Sequence, residues 1–320
     1  MATRPVRHRD RFVRRVAAAW TGGLSDAGVD AARDRVLAAP PMPRVGDWRL
    51  LDEIGRGAWT RVFLARPADV QRTRPGCYAV KLLDAAWEGD PLAVAALRRE
   101  ALVGMAVTNP HLVSVLAAHV HESPHYLVAP FLPGITLAER LRAGRLSVWS
   151  AMWIARQTAS ALAALHEAGW LHRDVKPANV MVSPSGHATL IDLGLCQRRD
   201  RGVSMMHRPV AGTFDYLAPE AVTPGIACGP ATDLYSLGVM LYEMLVGQPP
   251  FQGRTAGELA EKHRRAAPPP VGELRPDVPL ELSQLLRELL AKQPLRRPAS
   301  ARELVERLVR MEISALSSRE

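Results

Sequence analysis

The chain has 320 residues, of which 48% are hydrophobic and 23% are charged, and its formal net charge is +9. This apolar content is enough for a sizeable core. Because no apolar run approaches ~18 residues, we expect no membrane-spanning helix. Because no apolar segment follows the basic N-terminal stretch, we expect no secretory signal. The three cysteines, Cys77, Cys196 and Cys228, are widely spaced. Such spacing predicts no disulfide framework and no cysteine metal site, and it fits a cytoplasmic protein.

The positive charge is concentrated at the N-terminus. Residues 1–20 contain six arginines and one acid, Asp10, which gives this arm a net charge of +5. Such an arm favours an acidic partner, nucleic acid or anionic lipid, and a solvated extension is the plainer alternative. A short helix is predicted over 25–38, and several prolines follow it. We therefore interpret residues 1–44 as a basic N-terminal extension with a Pro-rich linker.

From residue 48 onward the pattern is that of a small sheet with one helix. Short β-prone runs are separated by glycine, proline and polar clusters, and one segment rich in alanine and leucine has helical length. The predicted strands cover 48–54, 60–66, 77–83, 112–119 and 125–129, and the predicted helix covers 91–107.

From residue 137 onward helices dominate the prediction. Apolar residues recur at helical spacing, and glycine and proline mark the helix ends. A β-rich first part and an α-rich second part predict an α+β fold with two lobes and a cleft between them. The predicted helices cover 149–168, 231–246, 280–291 and 299–311, and the C-terminal tail 312–320 is expected to fray.

The most informative segment is His172-Arg173-Asp174-Val175-Lys176-Pro177-Ala178-Asn179, which Asp192-Leu193-Gly194 follows. Asp174 is a candidate base, and Lys176 is a candidate phosphate-binding group. Asn179 and Asp192 carry the hard oxygens that Mg²⁺ prefers. The chain has only four lysines, and two of them, Lys81 and Lys176, lie in such motifs. A compact ammonium enters a phosphate site that a broad guanidinium does not fit in the same way.

A glycine-rich turn, Gly55-Arg56-Gly57-Ala58-Trp59-Thr60-Arg61-Val62, lies between the first two predicted strands. Glycines there let backbone N–H groups approach phosphates closely. Lys81 lies on the next predicted strand between apolar neighbours, where an ammonium needs a partner. Glu100 on the predicted helix is the best candidate for that partner. A surface lysine and a solvated helix face are the plainer alternatives.

Together these motifs resemble protein kinases of the Ser/Thr type, and they are most similar to the bacterial eukaryotic-like (Hanks-type) family. The resemblance implies a bilobal protein-kinase fold over residues 45–311. Its small β-rich N-lobe would cover about 45–131, and its larger α-helical C-lobe would cover about 132–311. The matching positions follow in family order: Gly55, Gly57, Val62, Lys81, Glu100, 172–179, 192–194, Gly212-Thr213, Ala218-Pro219-Glu220, Asp233 and Arg297.

The resemblance implies that ATP and Mg²⁺ (or Mn²⁺) bind in the cleft between the lobes. Adenine would contact the hinge through the carbonyl of Pro130 and the N–H of Leu132. The implied catalytic residues are Asp174, Lys176, Lys81 and Glu100, and the implied metal ligands are Asn179 and Asp192. The implied nucleotide contacts are Gly55, Gly57, Val62, Ala79, Lys81, Pro130, Leu132 and Met181.

The resemblance also implies supporting roles outside the cleft. Asp233 would hold the backbone of the catalytic loop, and Glu220 would pair with Arg297. Thr213 would form hydrogen bonds with the Asp174 and Lys176 side chains. His172 and Leu193 would stack in a column that links the two lobes.

The implied activity is transfer of the ATP γ-phosphate to Ser/Thr hydroxyls of proteins, with autophosphorylation and with self-association for that step. Lys176 and Gly212-Thr213 distinguish Ser/Thr kinases from tyrosine kinases in this family. Ser204 is the only hydroxyl residue between Gly194 and Gly212. Either Ser204 is phosphorylated and pairs with the arginines around it, or the loop is ordered without phosphate.

Three departures from the family pattern support an alternative, a pseudokinase that acts as a nucleotide-binding scaffold. Thr60 replaces the third glycine of the turn, and Leu193 replaces a phenylalanine. Gly104 is small where the column between the lobes is usually filled, so we expect the helix that carries Glu100 to be weakly held. A small-molecule kinase is a further alternative, but such proteins lack Gly212-Thr213 and Asp233.

Overall fold

A computed structural model describes residues 43–69, 76–199, 214–223 and 225–317. The basic arm with the predicted helix over 25–38, Ser204 and Gly212-Thr213 lie outside the described residues. Within the described residues, a β-rich N-terminal lobe precedes a helical C-terminal lobe, which confirms the predicted α+β bilobal fold. None of the helices in this part of the chain is long and apolar enough to cross a bilayer.

The N-terminal lobe is built on a six-stranded antiparallel sheet. Its strands are β1 (Arg44–Val45), β2 (Trp48–Arg56), β3 (Thr60–Pro67), β4 (Tyr78–Leu83), β5 (Ala117–His119) and β6 (Tyr126–Pro130). Their order in space is β1-β2-β3-β4-β6-β5. Phe63 and Ala65 alternate along β3 and are buried with Val80 and Val128 of the strands beside it. The sheet therefore fixes the β2–β3 turn beside Lys81 on β4.

The one long helix described in the N-terminal lobe, α1 (Pro91–Ala106), crosses this sheet. The Asp90 side chain caps its N-terminus by accepting hydrogen bonds from the N–H groups of Leu92 and Ala93, both at 2.9 Å. Proline at the first helical position fits this start because its missing N–H would have no helical partner. The buried face of α1 includes Glu100, so an acid points towards the sheet.

The predicted strand over 112–119 is only partly correct, because regular pairing begins at Ala117. The first part of this segment instead links the two lobes. Leu112 forms an isolated parallel bridge with Leu190 of the C-terminal lobe. The Val115 N–H donates to the carbonyl of Gly104 on α1, at 3.0 Å. Apolar residues here are buried by contacts with a helix and the other lobe rather than by a sheet.

The C-terminal lobe surrounds one central helix. It contains α2 (Leu137–Leu141), α3 (Val148–Glu167), α4 (Pro230–Val246), α5 (Ala256–Arg265), α6 (Val271–Leu274), α7 (Leu280–Leu289) and α8 (Ala301–Ser317). Helix α4 is mostly apolar and is buried on nearly all sides, and Leu234, Leu237, Met240 and Leu241 are completely buried. A helix that is hydrophobic all round belongs in the centre of a domain, and α4 contacts α3 and α7 there.

The prediction that the tail after Met311 frays is wrong for residues 312–317, because α8 continues to Ser317, the last residue that the structure describes. Helix α8 packs along α3. The Arg156 Nε on α3 donates to both carboxylate oxygens of Glu312, at 3.0 and 2.9 Å, and the Glu312 side chain is mostly buried. The sequence beyond 311 is only weakly apolar, so its periodicity alone did not reveal this docking.

In the described part of the C-terminal lobe, five short strands hold the loops, and none of these strands was predicted. Strands β7 (Ile135–Thr136), β9 (Val180–Val182) and β10 (Ala188–Leu190) form one small sheet, and β8 (Trp170–Leu171) pairs with β11 (Gln197–Arg198). Strands of two or three residues are too short to show a period. They begin or end beside the segment 172–179 and the segment 192–194, and they fix the distance between them.

A buried polar cluster supports the face of the C-terminal lobe that α5 covers. His263 of α5 and Tyr235 of α4 are completely buried, and the Tyr235 hydroxyl lies 2.9 Å from the His263 Nδ1. The Lys292 ammonium lies 3.4 Å from that hydroxyl and 4.3 Å from the Phe251 ring centroid. Burial and the Lys292 charge lower the pKa of His263 from 6.5 to about 4.

This pKa predicts that the free energy of unfolding falls as the pH is lowered from 6.5 towards 4. The unfolded chain binds a proton on His263 in that window and the folded chain does not, so protonation favours unfolding. The full contribution is about 3 kcal/mol, and all of it is present above pH 6.5. When urea unfolding is measured across this pH range, the unfolding free energy of His263→Phe is expected to depend less on pH than that of the wild type. This comparison does not require the two proteins to have the same stability at pH 7.

The control for this experiment is His121→Phe, because His121 is exposed. Its unfolding free energy should follow the pH in parallel with that of the wild type. An unchanged pH dependence in His263→Phe would show that His263 does not titrate on unfolding in this window.

Candidate active site

Lys81 links the N-terminal lobe to the C-terminal lobe. Its ammonium lies 2.6 Å from the Glu100 Oε2 on α1 and 3.0 Å from the Asp192 Oδ1 in the C-terminal lobe. Burial by itself lowers the pKa of Lys81, but the Asp192 and Glu100 carboxylates raise it above its usual range. Burial raises the pKa of Glu100, whereas Lys81 lowers that of Asp192. The lysine is therefore charged, and the predicted partner Glu100 lies beside it.

Asp174 is held in one orientation by the two polar residues that follow it. The Lys176 Nζ lies 2.9 Å from its Oδ1 and 2.7 Å from its Oδ2. The Asn179 Nδ2 donates to the Oδ2 and to the backbone carbonyl of Asp174, each at 2.8 Å. The Asp174 side chain is only 6% exposed. A carboxylate fixed in this way is suited to positioning a hydroxyl group and accepting its proton.

The backbone of this loop is fixed from below by Asp233 of α4, which is completely buried. Its carboxylate accepts the N–H groups of His172 and Arg173 at 2.9 and 2.8 Å and lies 2.9 Å from the His166 Nε2. Burial alone would raise the pKa of Asp233, but the hydrogen bond from His166 and then the Arg173 N–H lower it. Arg173 has a φ of 68°, which is unfavourable for a non-glycine residue. The two charge-assisted bonds offset that strain.

Asn179 and Asp192 come together through the backbone that separates them. The Ile191 N–H donates to the Asn179 carbonyl at 2.8 Å, so the residue before Asp192 is tied to the segment 172–179. Asp192 has a φ of 67°, which turns its side chain towards Lys81. Because Asn179 uses its amide nitrogen on Asp174, its side-chain oxygen is left for a cation. One carboxylate and one amide oxygen fit Mg²⁺, which takes few protein ligands and completes its shell with water and phosphate oxygens.

The glycine-rich turn closes the N-terminal side of the cleft. The Gly57 N–H donates to the Thr60 carbonyl at 2.7 Å, which makes 57–60 a tight turn. Thr60 has no positive φ, so a side chain is tolerated where the family has a third glycine. Gly55 pairs with Val62, and Val62 pairs with Lys81 on β4. The predicted nucleotide contacts on this side therefore lie on three adjacent strands.

The remaining predicted nucleotide contacts lie where the two lobes meet. Ala79 pairs with Ala129, and Pro130 ends β6 directly before the chain enters the C-terminal lobe. Leu132 follows two residues later. Met181 lies on β9 in the C-terminal lobe. These positions fit a hinge on which a planar ring is bound between an upper and a lower apolar surface.

The structure explains why a glycine stands at position 104, which the sequence alone did not reveal. A Cβ added there would lie 2.5 Å from the Val115 Cγ2, so Val115 already fills this space. Helix α1 is also held at its other side, where the Arg99 Nη1 donates to the Gly194 carbonyl at 2.6 Å. With the Lys81–Glu100 pair, these contacts tie α1 to both lobes. In the described structure the expected weak hold on this helix is not seen.

Glu220 and Arg297 form the buried ion pair that the resemblance implied. The guanidinium donates to both carboxylate oxygens, at 2.6 and 2.9 Å, and both side chains are at most 1% exposed. The Thr232 hydroxyl donates to the Glu220 Oε1 at 2.9 Å. The pair fastens the segment after residue 213 to α4 and to the start of α8.

Arg173 has a partner that sequence reasoning missed. Its Nη1 donates to the Oε1 of Gln197 on β11. A side-chain amide thus accepts a hydrogen bond from one N–H group of Arg173. In the resemblance, this arginine is the one that would pair with a phosphate on the loop. Ser204 lies outside the described residues, so both alternatives for the loop remain predictions.

The two-lobed fold, with Lys81, Asp174 and Asp192 facing one cleft, is the arrangement of the protein kinases. A family model described as the protein kinase domain matches residues 48–309, and the chain belongs to that family.

Several curated relatives are similar to this chain. Serine/threonine-protein kinase PrkC of Bacillus subtilis is 30% identical over 260 residues, which make up 81% of this chain and 39% of the relative. PknB of Mycolicibacterium smegmatis is 34% identical over 271 residues (82% and 43%), and PknA of Mycobacterium tuberculosis is 36% identical over 266 residues (80% and 60%). The chain thus spans between two fifths and three fifths of the length of these relatives.

Proposed function

We propose that this protein is a serine/threonine protein kinase that transfers the γ-phosphate of ATP to hydroxyl groups of proteins, itself included. The observation that carries the proposal is the contact of Lys81 with both Glu100 and Asp192. An active kinase needs this lysine–glutamate pair and the metal-binding aspartate in place together. Membership of the protein kinase domain family and similarity to named Ser/Thr kinases support the substrate class.

The proposed roles follow from what each side chain touches. Asp174 orients the substrate hydroxyl and accepts its proton late in the reaction, because loose phosphoryl transfer depends more on positioning than on strong basicity. Lys176, which is held at Asp174, neutralises charge on the transferring group. Lys81 binds phosphate oxygens, and Glu100 keeps the lysine aimed at them.

We propose a divalent metal, Mg²⁺ or Mn²⁺, with Asn179 and Asp192 as its protein ligands. Held by these two residues, such an ion would supply positive charge to neutralise the phosphates of the nucleotide. Gly55, Gly57, Val62, Ala79, Pro130, Leu132 and Met181 are the proposed nucleotide contacts.

The wider setting is also a proposal. We propose a kinase domain over 45–311 in a cytoplasmic protein, since the few, scattered cysteines fit a reducing compartment. We propose that copies associate for autophosphorylation. The basic arm over 1–20 is proposed to contact an acidic partner or nucleic acid, in which case binding weakens steeply with salt.

The test is transfer of ³²P from γ-labelled ATP with Mg²⁺ to the protein and to a generic basic protein. Wild type is expected to incorporate label on Ser or Thr, and Lys81→Met is expected to lose it, because the substituted side chain cannot bind phosphate. ATP binding is measured in parallel by thermal shift. Binding of ATP by the wild type without any transfer would favour the pseudokinase scaffold instead, and label on tyrosine would overturn the substrate class.

A further inference from the structure

Trp59 lies at the tip of the glycine-rich turn, and its surroundings differ from those of the three residues before it. Its neighbours Arg56, Gly57 and Ala58 are exposed, whereas Trp59 is half-buried. The indole packs against an apolar cluster that includes Leu83 of β4. A residue at the tip of a turn that covers phosphates would be expected to face solvent or ligand. Trp59 instead packs against the protein.

The side chain of Trp59 faces a second tryptophan outside the turn. The ring centroids of Trp59 and Trp87 are 6.4 Å apart, and the rings are tilted by 49°. Aromatic pairs at this separation are attractive beyond the area that they bury. The backbone adds a second link, because the Asp84 N–H donates to the Trp59 carbonyl at 2.8 Å.

Trp87 is itself part of a rigid connection into α1. It ends a short 3-10 turn, Ala85–Trp87, that the Asp84 side chain caps. Glu88, the next residue, accepts the N–H of His125 at 3.0 Å and also bonds its ring. The Asp90 N–H donates to the Trp87 carbonyl at 3.0 Å, and α1 begins one residue later.

We propose that Trp59, through Trp87, positions the glycine-rich turn over the phosphate site before nucleotide binds. The indole pair fastens the tip of the turn to the segment that leads into α1, the helix that carries Glu100. The turn and the Lys81–Glu100 pair are thereby held relative to each other. This inference rests on the proposed kinase function, because the ligand that the turn is proposed to contact is the triphosphate of ATP.

A turn that is already in place loses less conformational entropy when the nucleotide binds. Releasing the pair should therefore weaken ATP binding and leave the chemical step unchanged. For Trp87→Ala we expect the KM for ATP to rise about three- to tenfold at constant kcat, the range that one aromatic pair supplies. Trp87 touches neither the phosphates nor the reacting groups in the proposed mechanism.

The decisive measurement is hydrogen exchange of the full chain without nucleotide, read on peptides that cover 52–64 and 91–106. Trp87→Ala leaves the sequence of both peptides intact and is expected to speed exchange in the first and not in the second. Trp87→Phe keeps a ring at this place and should exchange as the wild type does. Trp153→Ala is the matched control, since Trp153 and Trp149 of α3 have the same centroid separation, 6.4 Å, at the other end of the molecule.

Unchanged exchange over 52–64 in Trp87→Ala would overturn the inference. Faster exchange over 91–106 as well would also overturn it, because the pair would then support the lobe as a whole. A fall in kcat with constant KM would contradict a positioning role. Hydrogen exchange does not depend on phosphoryl transfer, so an inactive protein that still shows the local effect would refute the proposed function and leave the inference about the turn intact.

Discussion

Asp174→Asn is expected to lower the rate of phosphoryl transfer by about 10²–10⁴-fold, the range that a positioned proton acceptor supplies. The amide is isosteric with the carboxylate but cannot accept a proton. It also removes a negative charge that lies 2.7 Å from the Lys176 ammonium. The first loss acts on the substrate hydroxyl and the second on the group that is transferred, so the fall should appear in kcat, with little change in the KM for ATP. Steady-state kinetics with a protein substrate measures the two constants separately.

The control for this substitution is Lys81→Met, which acts on the other side of the reaction. Lys81 contacts Glu100 and Asp192 and not Asp174, so its loss should weaken nucleotide binding as well as transfer. Different patterns of KM and kcat for the two variants would separate hydroxyl positioning from phosphate binding. A kcat for Asp174→Asn within a factor of about ten of the wild type would show that Asp174 is not the base, since a proton acceptor contributes at least ~10²-fold.

The sequence allowed us to predict which side chains lie together in the cleft, because these residues are close together in the chain or carry a charge that needs a partner. Asp174, Lys176 and Asn179 lie within six residues, so the loop alone brings them together. Lys81 and Glu100 are far apart, but an ammonium on an apolar strand is costly without an acid. The predicted pair has an Nζ to Oε2 distance of 2.6 Å.

The features that were not predicted depend on contacts between segments that are distant in the chain. No local sequence pattern indicates such contacts. Gly104 suggested an unfilled space in the column between the lobes. The Val115 side chain, from the segment that follows α1, fills that space. Gln197 as a partner of Arg173 and Glu312 as a partner of Arg156 are equally invisible, because polar residues on a loop or a helix surface are common. The end of α8 was not predicted for the same reason. It is stabilised by contacts with α3, which lies more than a hundred residues earlier in the chain.

The buried ion pair between Glu220 and Arg297 leads to the second large expected effect, on stability. Arg297→Met is expected to lower the free energy of unfolding by about 3–5 kcal/mol, because Glu220 is left as a buried charge without its counter-ion. The guanidinium also donates to the carbonyls of Ala231 at 2.7 Å and Ala291 at 2.9 Å, and the Met side chain satisfies neither. Urea unfolding at neutral pH measures the loss.

Burial, and not pairing as such, is the reason for the size of this effect. Arg302 and Glu167 form a pair at 3.4 Å whose side chains are 74% and 63% exposed. Arg302→Met is therefore the matched control and should cost less than about 1 kcal/mol. A double variant, Glu220→Leu with Arg297→Met, removes both charges together and should recover much of the loss, since the desolvation of an unpaired carboxylate is then absent. If the double variant were as unstable as Arg297→Met, the cost would instead lie in the lost hydrogen bonds to the Ala231 and Ala291 carbonyls.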